Sequence, residues 1–506
     1  MSKQQNRSFI SLLNAVSAVS LTFVNGILGI IVTRMVIDHF GSDFNGLNST
    51  ANQIINVLLV LEGGFTLASN VALFSPLTNL DYKTVNNILS ITRKKFNYIG
   101  IIFLIIGFIV TIIYSLVINS GLSKELVFTV IIMAILPASF NLYYAATYRV
   151  LLQTQQKEYV INLITMFTIG IGYVNNIVMI YNNGPMWAVR FITMIYALIN
   201  SILIVEYVKQ KHSFLNIKQD HCHGVIKGTR DVMAQKVTGV IYNSAPIVFL
   251  SILPSGGTMS ASVYAVYNNV FLILKSILYG VIDAPRLGFG QILTEKNRDE
   301  IWPLFAQYEY IVFYSIFVTM NTAYVMILPF ISLYTKGITD IDYYNNIIAL
   351  LMVLISVIEM AHIPSGHLIN MAGEFKISRN FQIMSCILLI ITMSIGGILS
   401  GVYGLLLSIL IVAISLAMME MWYVHVRFFK RKLTELQRLL LPFLVIGVIV
   451  SHFEQFLFND INNVFIFVAY GIVLVFMNSL IAIMISFVFC RSELYAIIQR
   501  GKKIFS

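Results

Sequence analysis

Two charged side chains stand where water is scarce. Lys275 lies about midway along the apolar stretch 262–283, and Glu62 lies within the apolar stretch 47–75. A charge in such surroundings is costly and by default faces a cavity or a partner. Counting 100° per residue from Lys275, the residues Tyr264, Asn268, Phe271, Tyr279, Ile282 and Asp283 fall within about 80° of it. One helix face thus joins a cation to polar aromatic groups, and Lys275 is too deep to snorkel comfortably to either headgroup layer. Its chemistry is that of a cation facing an aqueous cavity and attracting an anionic substrate. The alternative is a structural ion pair with Glu62 or Glu359, and both hold if the pair opens during transport.

Around Glu62 the same construction places Asn48, Asn52, Thr66, Ser69 and Asn70 within about 80°. One wall of this helix is therefore polar through its depth, and Gly63-Gly64 permits a close approach or a local break. Glu62 either lines a cavity or stays neutral and hydrogen-bonded between helices. Glu359 and His362 stand one turn apart, with Ser356, Gly366 and Asn370 on their face and Pro364 as a breaker. Such a pair relays protons, binds a cation, or is merely satisfied internally. Glu62, Glu359 and His362 are the candidates for ion coupling. Arg190, five residues past Pro185, reads as an interface anchor in preference to a substrate ligand.

The elements that must position these groups are membrane spans. The chain has 506 residues, is 58% hydrophobic and 11% charged, with a mean hydropathy of +0.82. About 20 apolar residues cross the hydrocarbon core as a helix. Fourteen stretches qualify: 9–33, 47–75, 96–118, 125–148, 159–181, 186–206, 237–254, 262–283, 305–330, 346–370, 380–398, 401–424, 439–457 and 463–489. Strands of this length would expose unpaired backbone to lipid, so the expectation is an all-α bundle of about fourteen transmembrane helices. Threading these spans puts 28 of the 33 Lys and Arg residues in loops on one side and Arg34, Lys124 and Lys336 on the other, with Arg190 and Lys275 inside spans. Basic short loops stay in the cytoplasm, so both termini are expected there.

A basic loop, 207–236, separates spans one to six (1–206) from spans seven to twelve (237–424), and the segment 425–506 appends two spans and a basic tail. Spans one and seven add polar faces of their own, with Asn14, Ser17 and Asn25 on the first and Gln235, Thr238 and Tyr242 on the seventh. Stripes at equivalent places in two six-helix halves predict a central cavity between them, the usual plan of secondary transporters.

Other classes are disfavoured. The net charge of +10 is explained by topology and anionic headgroups, so nucleic acid is not an expected partner. His221-Cys222-His223 has no second ligand set nearby and reads as a solvated loop; no metal or cofactor is expected. Cys222, Cys386 and Cys490 fall where no extracellular disulfide forms. The apolar run from Phe9 is too long for a cleaved signal and reads as a retained first span.

The run Phe40-Gly41-Ser42-Asp43-Phe44-Asn45-Gly46-Leu47-Asn48, continuing through Leu61-Glu62-Gly63-Gly64 to Phe74-Ser75-Pro76-Leu77, resembles the Gram-positive branch of polysaccharide flippases. These belong to the multidrug/oligosaccharidyl-lipid/polysaccharide exporter superfamily. Val263-Tyr264-Ala265-Val266-Tyr267-Asn268 and Arg286-Leu287-Gly288 are similar to the corresponding segment of the second half. The resemblance implies two six-helix lobes alternating access to a central cavity. It also implies a cargo of undecaprenyl-pyrophosphate-linked oligosaccharide, moved to the outer leaflet of a bacterial plasma membrane for capsule or surface polysaccharide. Basic cavity residues would engage the pyrophosphate, a role falling to Lys275 and Arg34. Glu62, Asn52, Tyr264, Asn268 and Tyr279 would line the same cavity, with Na⁺ or H⁺ as coupling ion and a polymerase and glycosyltransferases as partners. One departure is Asn243-Ser244, where many members have an acid, which removes a coupling role there.

Two readings within the superfamily remain, a lipid II flippase and a cation-coupled drug exporter; Lys275 speaks against the second. A different class is a membrane glycosyltransferase or polysaccharide polymerase, for which Asp38 and Asp43 in the first external loop are superficially suited. No phosphate-cradling loop, nucleophile elbow or large external loop supports it.

Overall fold

The computed structural model describes residues 3–62, 64–217, 230–458, 461 and 463–505, and nearly all of them are helical. The sequence 221–223 and residues Gln219 and Gly63 lie outside the described residues. In chain order the helices are α1 (Lys3–Phe40), α2 (Ser42–Leu58), α3 (Phe65–Thr78), α4 (Tyr82–Val117), α5 (Lys124–Phe140), α6 (Ala146–Thr154), α7 (Glu158–Tyr181), α8 (Met186–Lys211), α9 (Arg230–Ile252), α10 (Gly257–Glu295), α11 (Arg298–Tyr334), α12 (Asn346–Ala361), α13 (Ile363–Met371), α14 (Phe375–Trp422), α15 (Leu433–Leu457), α16 (Val464–Phe489) and α17 (Arg491–Phe505). The protein is an all-α, multi-pass membrane protein.

Among the described residues, eleven helices are long and apolar enough to cross a membrane, twelve if the pair α2–α3, bent by 48°, is one span. Fourteen are expected from sequence, and the difference lies in two places. Helix α9 is diluted by Gln235, Lys236, Asn243 and Ser244. The stretch Phe375–Phe428 is one unbroken run holding both expected spans, 380–398 and 401–424. At 1.5 Å per residue that run would be about 80 Å long if straight, against a hydrocarbon core of about 30 Å. It is not straight: Ser400 and Gly401 are non-helical, Gly401 with φ of +56°. A Cβ placed on Gly396 would lie 2.5 Å from the Gly404 carbonyl oxygen, so the chain folds back on itself at that point.

The chain forms two compact units, Met1–Val263 and Tyr264–Ser506, with the boundary inside α10. Helix α9 therefore packs with the first unit. In lipid there is little hydrophobic drive between helices, and close backbone approach through small residues replaces it. Along α4, Gly100 meets the backbone of Tyr143 and Gly107 meets Ile135, while Ser139 Oγ donates to the Gly100 carbonyl at 2.9 Å. The interior of the first unit is then filled by Phe44, Leu47, Leu73, Phe96, Phe103 and Ile131, all fully buried or nearly so. Outward faces stay apolar and exposed, as with Phe23 and Phe167, which suits contact with acyl chains.

The segment Phe40–Asn48 is built around one carboxylate. Gly41, with φ of +85°, lets the chain turn from α1 into α2. Asp43, 9% exposed, then accepts hydrogen bonds from Gly121 N at 2.7 Å, Ser120 Oγ at 2.8 Å and the Thr258 hydroxyl. Gly46 is required beside it, because a Cβ would lie 1.7 Å from the Thr258 carbonyl oxygen. The start of α2, the α4–α5 loop and the start of α10 are thus pinned together within the first unit.

In the second unit α11 is the central post. Tyr310 OH donates to Ser486 Oγ of α16 at 2.8 Å, and Glu309 meets His425 at 3.2 Å with both side chains fully buried. On α15, Glu454 accepts from Asn478 Nδ2 of α16 at 3.1 Å. These polar contacts add to the close packing of α11 on α15, where Gly447 lies against Asn321 and Phe317.

Candidate functional site

In the first unit, Glu62 ends a 3-10 turn, Leu59–Glu62, that separates α2 from α3. Gly64, with φ of +74°, makes the break that turns the carboxylate away from the helix axis. The Thr66 hydroxyl donates to Glu62 Oε1, and Lys236 Nζ of α9 stands 3.7 Å from Oε2. Both side chains border a cavity of about 630 Å³ that is also lined by Thr66, Asn70, Arg149, Gln153 and Glu158. A 3.7 Å pair with the lysine 44% exposed contributes about 0–1 kcal/mol, so it is free to exchange partners. Below it, Thr154 Oγ1 donates to Asn70 Oδ1 at 3.0 Å. Lys236 and Arg149 are absent from the sequence-derived cavity set because they count as loop charges at the ends of spans.

In the second unit, Lys275 Nζ lies 2.9 Å from Glu359 Oε2, the two side chains being 13% and 15% exposed. Of the two acids considered for Lys275, its partner is Glu359; Glu62 pairs instead with Lys236. Residues Lys275, Tyr279 and Asp283 follow at four-residue steps along α10, one face of the helix. That face meets α12 and α13: Glu359 takes Lys275, and His367 Nε2 lies 3.6 Å from Asp283 Oδ1. The stripe-mates Tyr264 and Asn268 are buried and half-buried, whereas Tyr279 is 41% exposed.

Glu359 and His362, expected to act on one another, each have a partner on another helix. His362 closes α12, and its Nδ1 lies 2.8 Å from Glu420 Oε2 of α14. Gly366 of α13 covers that carboxylate so closely that a Cβ would stand 2.7 Å from it. Tyr308 OH donates to the Ile282 carbonyl at 2.7 Å and meets His367 Nδ1 at 3.2 Å. Lys275 of α10, His362 and His367 at α12 and α13, and Tyr308 of α11 thus join these helices through polar contacts. Glu420 went unremarked in the sequence, where it sits among Met and Ala like a lone interfacial acid.

Elsewhere, Arg34 of α1 faces Asp38 one turn on at 3.7 Å, a surface pair on an exposed helix end. Asn52 accepts from Arg190 Nη1 at 3.0 Å inside the first unit, so Arg190 is a buried hydrogen-bond donor to α2. Asp43 is engaged by its clamp, whereas Asp38 is largely exposed in its loose pair with Arg34.

No family model matches the chain, and no curated protein does. Solved structures do. The lipid II flippase MurJ in an inward closed conformation superposes with a TM-score of 0.66 at 16% identity, covering 96% of this chain and all of that one. An inward-facing multidrug resistance MATE family transporter of the MOP superfamily reaches 0.64 at 12% identity, covering 81% of this chain and 95% of that one. A MATE protein in a bent conformation gives 0.53 at 14% identity, with 81% and 95% covered. The chain has the fold of the MATE and MurJ transporters. The MurJ match covers 96% of this chain, against 81% for the inward-facing MATE match.

Proposed function

We propose that this chain flips an anionic lipid-linked oligosaccharide, of the undecaprenyl-pyrophosphate type, to the outer leaflet of a bacterial plasma membrane by alternating access. Both termini are then cytoplasmic, and the product feeds the assembly of capsule or surface polysaccharide by a polymerase and glycosyltransferases. The observation that carries this reading is Lys275, held midway along an apolar helix and neutralised by Glu359 at 2.9 Å. A cation kept in low dielectric needs an anion at every stage, and a phosphate oxygen can replace the carboxylate without a step in which Lys275 is bare. Release of Glu359 by the cargo would couple binding to a change of state, with Na⁺ or H⁺ meeting the freed carboxylates.

The fold of MurJ supports a second cargo of related chemistry, lipid II. The fold of the multidrug MATE transporter supports a cationic drug, but the acid facing α10 is already neutralised by Lys275, and a cation exporter needs that acid available. Sugar transfer is the reading from another class. The engagement of Asp43 by three donors argues against it.

The test is reconstitution in vesicles with a fluorescent undecaprenyl-pyrophosphate saccharide, followed by quenching from one side. Wild-type protein should speed flipping, and Lys275→Gln should slow it by at least tenfold with normal vesicle incorporation. Equal rates in the two proteins would sink the anion role. Faster export of a cationic dye than of the lipid would favour the drug reading, and conversion of the saccharide would favour an enzyme.

A further inference from the structure

Inside the first unit a second cavity, of about 400 Å³, has two arginines in its wall and no carboxylate. It follows α8 from Arg190 to Asn200, ten residues apart and so about 15 Å along the axis. Arg190, 7% exposed, stands at one end. Its Nη1 donates to Asn52 Oδ1 at 3.0 Å and its Nη2 to the Asn48 carbonyl at 2.9 Å, while Nε is buried and makes no hydrogen bond among the described residues. Arg149 stands at the other end, its Nη2 donating to Asn200 Oδ1 at 2.6 Å, and its Nε is likewise buried and unpartnered among the described residues.

Asn200 is aimed deliberately. Its amide nitrogen donates to Thr165 and Thr168 hydroxyls at 3.1 and 3.0 Å, which leaves its oxygen for Arg149. Every partner of the two guanidiniums is thus a neutral amide or carbonyl oxygen. Neither forms an ion pair among the described residues, although Arg149 also borders the 630 Å³ cavity that holds Glu62 and Glu158. Two such cations in the interior of a membrane-spanning unit call for an anion. Planar N–H forks suit oxyanions.

We propose that the cavity between Arg190 and Arg149 binds a small inorganic oxyanion, phosphate or sulfate in size, together with the water that links it to the two guanidiniums. The site is separate from Lys275 and does not rest on the lipid-flipping reading. A cavity of about 400 Å³ takes a free ion with its water but not a lipid-linked saccharide. Occupancy neutralises the polar interior between α2, α5, α7 and α8, so the stability of the unit depends on which anion fills it.

The experiment uses the full chain in detergent, at constant sodium and ionic strength, with the bulky sulfonate MES replaced stepwise by phosphate, sulfate or chloride. The melting temperature should rise saturably with phosphate and sulfate and less with chloride, as binding to the folded state requires. Arg190→Gln and Arg149→Gln should each weaken the apparent affinity at least tenfold. Should either fail to fold, Ala197→Leu, which narrows the cavity and keeps both charges, should weaken the saturable response, and so should Arg190→Lys. Lys275→Gln should keep the response, so failure of the Lys275 role leaves this site standing. A wild-type protein indifferent to phosphate over MES, a response unchanged in the arginine and Ala197 variants, or one lost with Lys275→Gln alone would overturn the site.

Discussion

Lys275 of α10 and Glu359 of α12 meet at 2.9 Å with both side chains largely buried, joining the two helices through a charge on each side. A pair of this kind contributes little over a well-packed apolar substitute, yet removing one member strands the other.

The first expectation follows from that asymmetry. Lys275→Gln and Glu359→Gln should each lower the stability of the second unit by about 3 kcal/mol, and the double variant should recover most of the loss. A double-mutant cycle on thermal unfolding in detergent reads the coupling. Additive losses would show that the two groups are solvated separately.

The Asp43 clamp should be structural. Asp43→Ala removes a charged acceptor from three donors, each worth about 1.5–3 kcal/mol when lost to a charged group. Membrane abundance should fall sharply, and a purified remnant should melt well below wild type. Gly46→Ala should do the same for a steric reason, since its Cβ would collide with the Thr258 carbonyl. Normal abundance with lost sugar transfer in Asp43→Ala would instead mark a catalytic carboxylate.

The fold-back at Gly401 should tolerate no bulk at its crossing. A Cβ on Gly404 would sit 1.9 Å from the Gly396 carbonyl oxygen, so Gly404→Leu must splay the two halves of α14. Protease or cysteine accessibility near residue 400 should rise in that variant, while Tyr403→Phe, which only loses a hydrogen bond from Asn345 at 2.7 Å, should leave it unchanged.

His212 should set an acid limit on stability. Burial holds its pKa below the ordinary histidine value, the Val208 carbonyl opposes that shift, and Lys157 adds to it. With its pKa lowered, the ring between the Val208 carbonyl and the Gln155 side-chain amide loses its proton at a lower pH in the fold than in the unfolded chain. Above about pH 6.5 it is neutral in the unfolded chain as well, so it adds no pH dependence there. As pH falls below that value the unfolded chain takes the proton first, and stability is lost. Melting temperature from pH 8 to 5 should therefore decline less steeply in His212→Gln than in wild type. Identical slopes would remove His212 from the account.

The orientation expected from loop charge is tested by cysteine labelling. Sites at Asn183 and Lys336 should react from outside intact cells, and a site at Gln219 only after permeabilisation. Labelling of Gln219 in intact cells would reverse the threading.

Much of this architecture is written in composition and period. Long apolar runs separated by basic loops allow only a helical membrane protein, because backbone polar groups in lipid must be satisfied within each segment. The same rule made Lys275 and Glu62 stand out, since a charge in such a run always has a reason. What the sequence by itself could not determine is which charge answers which. Lys275 had Glu62 and Glu359 as possible partners, and only the packing of α10 on α12 decided for Glu359. Glu359 and His362 share a helix face and looked like a pair, but α10 and α14 each brought a nearer partner. Arg149, Lys236 and Glu420 lie near helix ends, where a charge is ordinary, and it took the turn of α3 and the covering Gly366 to place them in polar chambers. Periodicity names the face on which a residue stands, a property of one helix. The partner across that face belongs to another helix far away in the chain, and it is fixed only when tertiary packing brings their small residues together.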